Sequence, residues 1–220
     1  LRKFLSDPDP NKLNPKNFST ESVAIKGLYA MEYLLYEPSL TDDLTELQRC
    51  KIILAIARDM SRVSGQLAAQ QKEFFHAIGD VPLYKEYYKS LIFGLEQTSK
   101  IRLGMPLGTA DRPQPLKAEM RRSGRTKRHI ELSLIHLSEL TRFLTKDHHE
   151  LNSKFRDLFT LAIMDVTNIN DPTLSGVSEP ETWFKFKEIQ TQIVSISLIL
   201  RSELGPKLGV TAGFNASDGD

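Results

Sequence analysis

The ten residues TQIVSISLIL, Thr191–Leu200, decide the fold of this chain. Their β-branched content alone would suit a strand, because branched side chains pack well on a pleated surface and lose rotamer freedom in a helix. Their spacing says otherwise. Ile189, Ile193, Ile196 and Leu200 recur at three- and four-residue intervals, which is one face of a helix, and with Phe184 they predict a helix over 179–204. Ser178 and Glu181 stand ahead of it in the S-x-x-E relation of a capping box. No period-two alternation is sustained elsewhere, so the fold class read from the sequence is all-α, arranged as bundles.

Working back from this helix, the loop DPTLSGVSEPE separates it from a helix over 148–169, and a further helix over 124–145 carries the stripe Ile130, Leu134, Leu137, Leu140 and Leu144. LGMPLGTADRPQPL, Leu103–Leu116, holds three prolines and two glycines, a composition that stops helices and marks a domain boundary. Before it lie predicted helices over 82–101, with Tyr84, Tyr87, Tyr88, Leu91 and Leu95 on one face, and over 41–75 and 19–37. Ser19 or Thr20 supplies the cap of the first of these, with Glu21 in its opening turn. The organisation expected is a lead-in loop over 1–18, an incomplete first bundle over 19–103, a linker over 104–116, and a second bundle over 117–220.

At 220 residues the chain is long enough for one large or two small cores. A net charge of +1 with 26% charged residues gives no whole-chain attraction for nucleic acid or for an acidic substrate. Cys50 is the sole cysteine, which excludes an intrachain disulfide and a cysteine metal cluster. The longest apolar run, Ile52–Ala57, falls far short of the roughly 20 residues a membrane span needs. The chain opens at Leu1 with no apolar signal region, so any targeting segment or anchor is expected to have been removed ahead of it.

One residue is out of keeping with its surroundings. Glu32 sits in IKGLYAMEYLLYE, Ile25–Glu37, on a predicted face with Ile25, Leu28, Tyr29, Leu35 and Tyr36. A carboxylate buried there must hold a proton, accept hydrogen bonds or meet a cation, since leaving it ionised and alone costs several kcal/mol. A structural glutamate bridging two helices and a metal- or cation-binding residue both satisfy that demand. Gly27, expected inside the same helix, suggests close approach of another backbone.

GLYAMEYLL resembles the G-x-H-x-x-E segment of the imelysin-like proteins, also filed as M75 peptidases, and the closing LGVTAGFNASDGD resembles that family's C-terminal signature. IRLGMPLG and AEMRRSGRTKRHI are consistent with it, the latter where relatives carry a glutamate and serines, here Glu119 and Ser123. The resemblance implies two similar four-helix-bundle halves with a site between them. It further implies a periplasmic or lipoprotein location in the outer membrane, a part in iron uptake with partner proteins, and iron or another divalent or trivalent metal as cofactor. Six helices are predicted where the family has eight, so N-terminal helices of the first bundle are expected to lie outside this chain. Carried over, the site comprises Gly27, Tyr29, Glu32, Glu119, Ser123, Phe214, Asn215, Asp218 and Asp220.

The motif histidine is Tyr29 here. Histidine and glutamate at i and i+3 can share a divalent ion, whereas a phenol with an ordinary pKa near 10 suits ferric iron far better than zinc. Zinc peptidases need about three protein ligands and an open position for water. The leading expectation is therefore a non-catalytic iron-binding or partner-binding protein, with a metal-dependent peptidase or a helical scaffold as alternatives. His136 and Glu139, and the cluster His148, His149 and Glu150, read as solvent-facing residues. The basic run from Lys117 to Arg128 has no interleaved aromatic residue to stack on bases, and reads as a solvated helix entry or an anion-binding rim.

Overall fold

TQIVSISLIL is helical. In the computed structural model, which describes residues 2–5, 9–37, 39, 42, 44–77 and 80–210, the long helices are six. They are α1 (Gly27–Tyr36), α2 (Glu46–Ala77), α3 (Asp80–Glu96), α4 (Thr126–Leu144), α5 (His149–Asn168) and α6 (Pro180–Ile199). The described residues contain no strand, only an isolated bridge between Thr109 and Arg112.

The chain divides into two compact units, residues 1–77 and 78–220. In the second, α3 to α6 form a closed ring in which α3 packs on α4, α4 on α5, α5 on α6 and α6 on α3. This is a four-helix bundle. The predicted stripe of α4 fills its core, with Ile130, Leu134, Leu137 and Leu144 buried and Leu140 partly so. α5 supplies Leu151, Phe155, Phe159, Ala162 and Val166, spaced three and four apart. α6 supplies Trp183, Phe186, Ile189, Ile193 and Ile196, each aliphatic burial being worth roughly 1.5–3 kcal/mol.

Several expectations are revised. α3, placed by sequence in the first bundle, belongs to the second unit, because Tyr88, Leu91, Ile92 and Leu95 are buried in the same core as Ile130 and Ile193. The segment expected as a linker is also part of that unit. The helical path continues past residue 96 through a π-helix, Gln97–Leu103, and a further turn, Gly104–Leu107, burying Leu103 and Leu107. It stops at Gly108, whose φ of 53° and proximity to the Arg112 carbonyl leave no room for a side chain. A second π-helical stretch, Leu200–Leu204, extends α6.

The capping box does not form. Glu179 is the N-cap residue of α6 and no side chain caps it; Glu181 pairs with Lys185 at 2.6 Å instead, which holds its carboxyl below the usual range. Phe184 is exposed, and the core position belongs to its neighbour Trp183, whose indole donates to the Leu107 carbonyl at 2.9 Å. The loop before α6 is organised by the buried carboxylate of Asp171, which accepts from the backbone N–H groups of Thr173, Ser175 and Gly176.

The first unit is smaller. α1 packs on the first half of α2 through Ala30, Leu34, Ile52, Ala55 and Ile56, joined by Leu5, Phe18 and Ile25. Short helical turns at Pro10–Leu13 and Pro15–Phe18 are capped by Asp9 and Asn14 within the expected loop. From residue 61 to 77 every side chain of α2 is exposed.

Candidate functional site

Helix α1 starts later than the sequence suggests. Ser22, not Ser19 or Thr20, acts as a cap: its Oγ accepts from the Ala24 N–H and holds a 3₁₀ turn at Val23–Ile25. Lys26 is then extended, with its Nζ on the Ser19 carbonyl at 2.7 Å, and the chain turns into α1 through Gly27 at φ 77°. Gly27 is thus the first residue of the helix, and a Cβ built on it meets nothing within 4 Å. Left-handed backbone, rather than close approach, requires glycine there.

The face predicted to be buried is mostly open. Leu28, Tyr29, Leu35 and Tyr36 are each half exposed or more, while the buried apolar residues are Ala30 and Leu34 on the opposite side. Of the six residues on that face only Ile25 and Glu32 are covered, each at 4% exposure. The four open residues are the helix-surface neighbours of Glu32 at i−4, i−3, i+3 and i+4, so helical spacing places Glu32 within an aromatic and aliphatic stripe that includes Tyr29 and Tyr36. Tyr29, Glu32 and Tyr33 each have an interaction partner.

Glu119 and Ser123 lie in the second unit, in the turn that leads into α4. Met120 adopts a left-handed φ of 51°, sparsely populated for a residue with a side chain, and Gly124 takes φ 66°. Thr126 closes the turn by donating its hydroxyl to the Glu119 carbonyl, and Ser123 Oγ donates to the Met120 carbonyl at 3.1 Å. The Glu119 carboxylate meets Arg102 Nε at 3.3 Å, and Arg102 Nη1 donates to Ser133 Oγ, which in turn donates to the His129 carbonyl. Arg102 was not anticipated. Its role depends on the π-helix, for which a single sequence carries no signal.

Phe214, Asn215, Asp218 and Asp220 lie outside the described residues. Two members of the basic run have separate tasks. Lys127 Nζ caps the C-terminal carbonyls of α5 at Thr167 and Ile169, and Arg128 pairs with Glu131 at 2.9 Å. His136 and Glu139 are an exposed pair 3.3 Å apart, and His149 and Glu150 are exposed. Among the described residues no three His, Cys, Asp or Glu side chains are grouped to hold a metal ion, and no helix is long and apolar enough to cross a membrane.

The profile of the imelysin family, peptidase M75, matches residues 1–199. The chain belongs to the imelysin family. The matched part of this imelysin contains Gly27, Tyr29, Glu32, Arg102, Glu119 and Ser123, and ends before the GFNASDGD segment. No curated protein and no solved structure matches it.

Proposed function

We propose that this imelysin is an extracytoplasmic binding protein of iron acquisition, taking ferric iron or a ferric complex on the face of α1 that carries Tyr29, Glu32 and Tyr36. The observation that supports this reading most is a glutamate at 4% exposure whose helix neighbours at i−3 and i+4 are half-exposed tyrosines. Burying a carboxylate is expensive, and a trivalent cation with hard oxygen ligands would add to what the existing partner of Glu32 already offsets. Tyrosine in the motif histidine's place moves the donor set from nitrogen toward oxygen. The same change speaks against peptidase chemistry, which asks for about three protein ligands and a zinc-bound water. A periplasmic or outer-membrane location and partner proteins of iron uptake belong to this reading.

The test is a titration of ferric nitrilotriacetate into the wild type, Glu32→Gln and Tyr29→Phe, followed by visible absorption and calorimetry. The wild type should develop a phenolate-to-iron charge-transfer band that Tyr29→Phe weakens or removes, and Glu32→Gln should bind at least ten-fold more weakly. Equal binding by all three proteins removes the metal site. Tyr29→His with zinc examines the peptidase alternative that the family's designation favours: chelator-sensitive peptide cleavage by that variant alone would restore it.

A further inference from the structure

A groove of about 500 Å³ runs along the second unit between α3 with its π-helical extension and α4. Its size falls within the roughly 300–1,000 Å³ of small-molecule sites. Phe93, Leu132 and Leu137 form apolar walls, while Gln97, Arg102 and Ser133 line its polar part together with two histidines, His129 and His136. Among the described residues the lining includes no Asp or Glu. We propose that this groove binds a small amphipathic carboxylate, its charged end on Arg102 and its apolar body along Phe93, Leu132 and Leu137.

Three features carry this assignment. The first is the state of the guanidinium. Nε is held by Glu119 and Nη1 by Ser133, which fixes the plane of the fork, while Nη2 donates to no described protein group. A guanidinium locked on one side and open on the other is preorganised for an anion, and planar carboxylates match its donors. Glu119 already balances the single charge of the guanidinium, so the open N–H donors rather than net charge would hold the ligand, and a monoanion costs less there than a dianion.

The second is the backbone register. In a π-helix each N–H bonds to the carbonyl five residues back, which brings Arg102 over Gln97, one turn beyond Phe93. In an α-helix a residue five positions on points well away from the first. The irregularity is stabilised from outside: Gln190 Nε2 donates to the Ser99 carbonyl at 2.7 Å, and Ser99 and Thr98 hydroxyls return to the carbonyls of Leu95 and Gly94. The third is Gly94 in the groove floor. A Cβ there would stand 2.5 Å from Leu137 Cδ2, so a larger residue would make that leucine shift from its present seat against α3.

The experiment uses the full chain and three probes, phenylacetate, phenylacetamide and inorganic phosphate, read by amide chemical shifts and ligand saturation transfer. Phenylacetate is expected to move the amides of Gly94, Thr98 and Ser133 in a saturable way, with the amide and phosphate at least ten-fold weaker. Arg102→Gln should lose ten-fold or more of phenylacetate binding, and Leu132→Trp, which fills the groove and leaves the guanidinium in place, should abolish it. The carboxylate-over-amide preference is a wild-type property and stands whether or not either variant folds. Equal binding of phenylacetate and phenylacetamide, tighter binding of phosphate, or shifts confined to other residues would overturn the assignment. Glu32→Gln should leave phenylacetate binding unchanged, which separates this site from the iron-binding reading.

Discussion

Two regions of the molecule are built to different standards. Among the described residues the second unit buries 25 apolar side chains in a ring of four helices, whereas the first buries eight and leaves the final seventeen residues of α2 open. Yet the first unit holds the buried carboxylate and the glycine-initiated helix that the family motif covers. Folding free energy scales with apolar area removed from water, so the larger core carries most of the stability. The smaller one holds the buried Glu32, with its partner, and an open aromatic face. Such segments are drawn from the low-stability end of a fold, where binding can reorganise them.

The sharpest way to break this comparison is to cut each core. Phe159→Ala, at the centre of the second unit, should cost about 3–5 kcal/mol and lower the temperature of the main unfolding transition. Ile56→Ala, with no exposed surface of its own, should cost about 2–5 kcal/mol but leave amide protection in α4, α5 and α6 intact by hydrogen exchange. Loss of protection in all six helices from the second substitution would show that the two regions do not differ in this way.

Smaller effects sharpen it. Gly27→Ala forces a side chain into left-handed backbone and should cost about 1–2 kcal/mol, read as earlier denaturation of the first unit. In the second unit, the Tyr88 hydroxyl donates to the Leu200 carbonyl at 3.3 Å, at the start of a π-helical stretch. Burial pushes this phenol's pKa above its ordinary value, with Arg201 opposing the shift. The folded state therefore keeps a proton that the unfolded chain releases above pH about 10, and stability should fall as pH rises beyond that point. Tyr88→Phe should cost about 1 kcal/mol at neutral pH and lessen the alkaline decline, as followed by denaturant melts across pH 8–11. Gly65→Ala is expected to go the other way. Gly65 is a mid-helix, exposed position with open space around it, and alanine should stabilise α2 by about 0.5–1 kcal/mol.

The sequence made the helices legible and their grouping illegible. Ile130, Leu134, Leu137 and Leu144 announce α4 because burial repeats with the helical period, and six predicted helices correspond to six observed ones. Nothing in Tyr88, Leu91 and Leu95 says which neighbouring helices they will meet, so α3 was grouped with the wrong half. Prolines and glycines at 104–116 looked like a linker, but Pro106 sits in the last helical turn, which the Trp183 indole fastens at the Leu107 carbonyl. In the candidate site, Glu32 was readable because a charge amid apolar residues is anomalous. Which side of α1 faces the core was not, since Leu28 and Leu35 are as apolar as Ala30 and Leu34. Arg102 was invisible for a different reason: its placement depends on a π register held by Gln190, 88 positions later in the chain.

The central claim is that the weakly built unit, through Glu32, is where this imelysin recognises its ligand. Hydrogen–deuterium exchange with and without ferric nitrilotriacetate tests it directly. The account predicts new protection across residues 27–36 in the wild type, absent in Glu32→Gln, with α4 to α6 unchanged in both. Protection that fails to appear in α1, or that persists undiminished in Glu32→Gln, would contradict it.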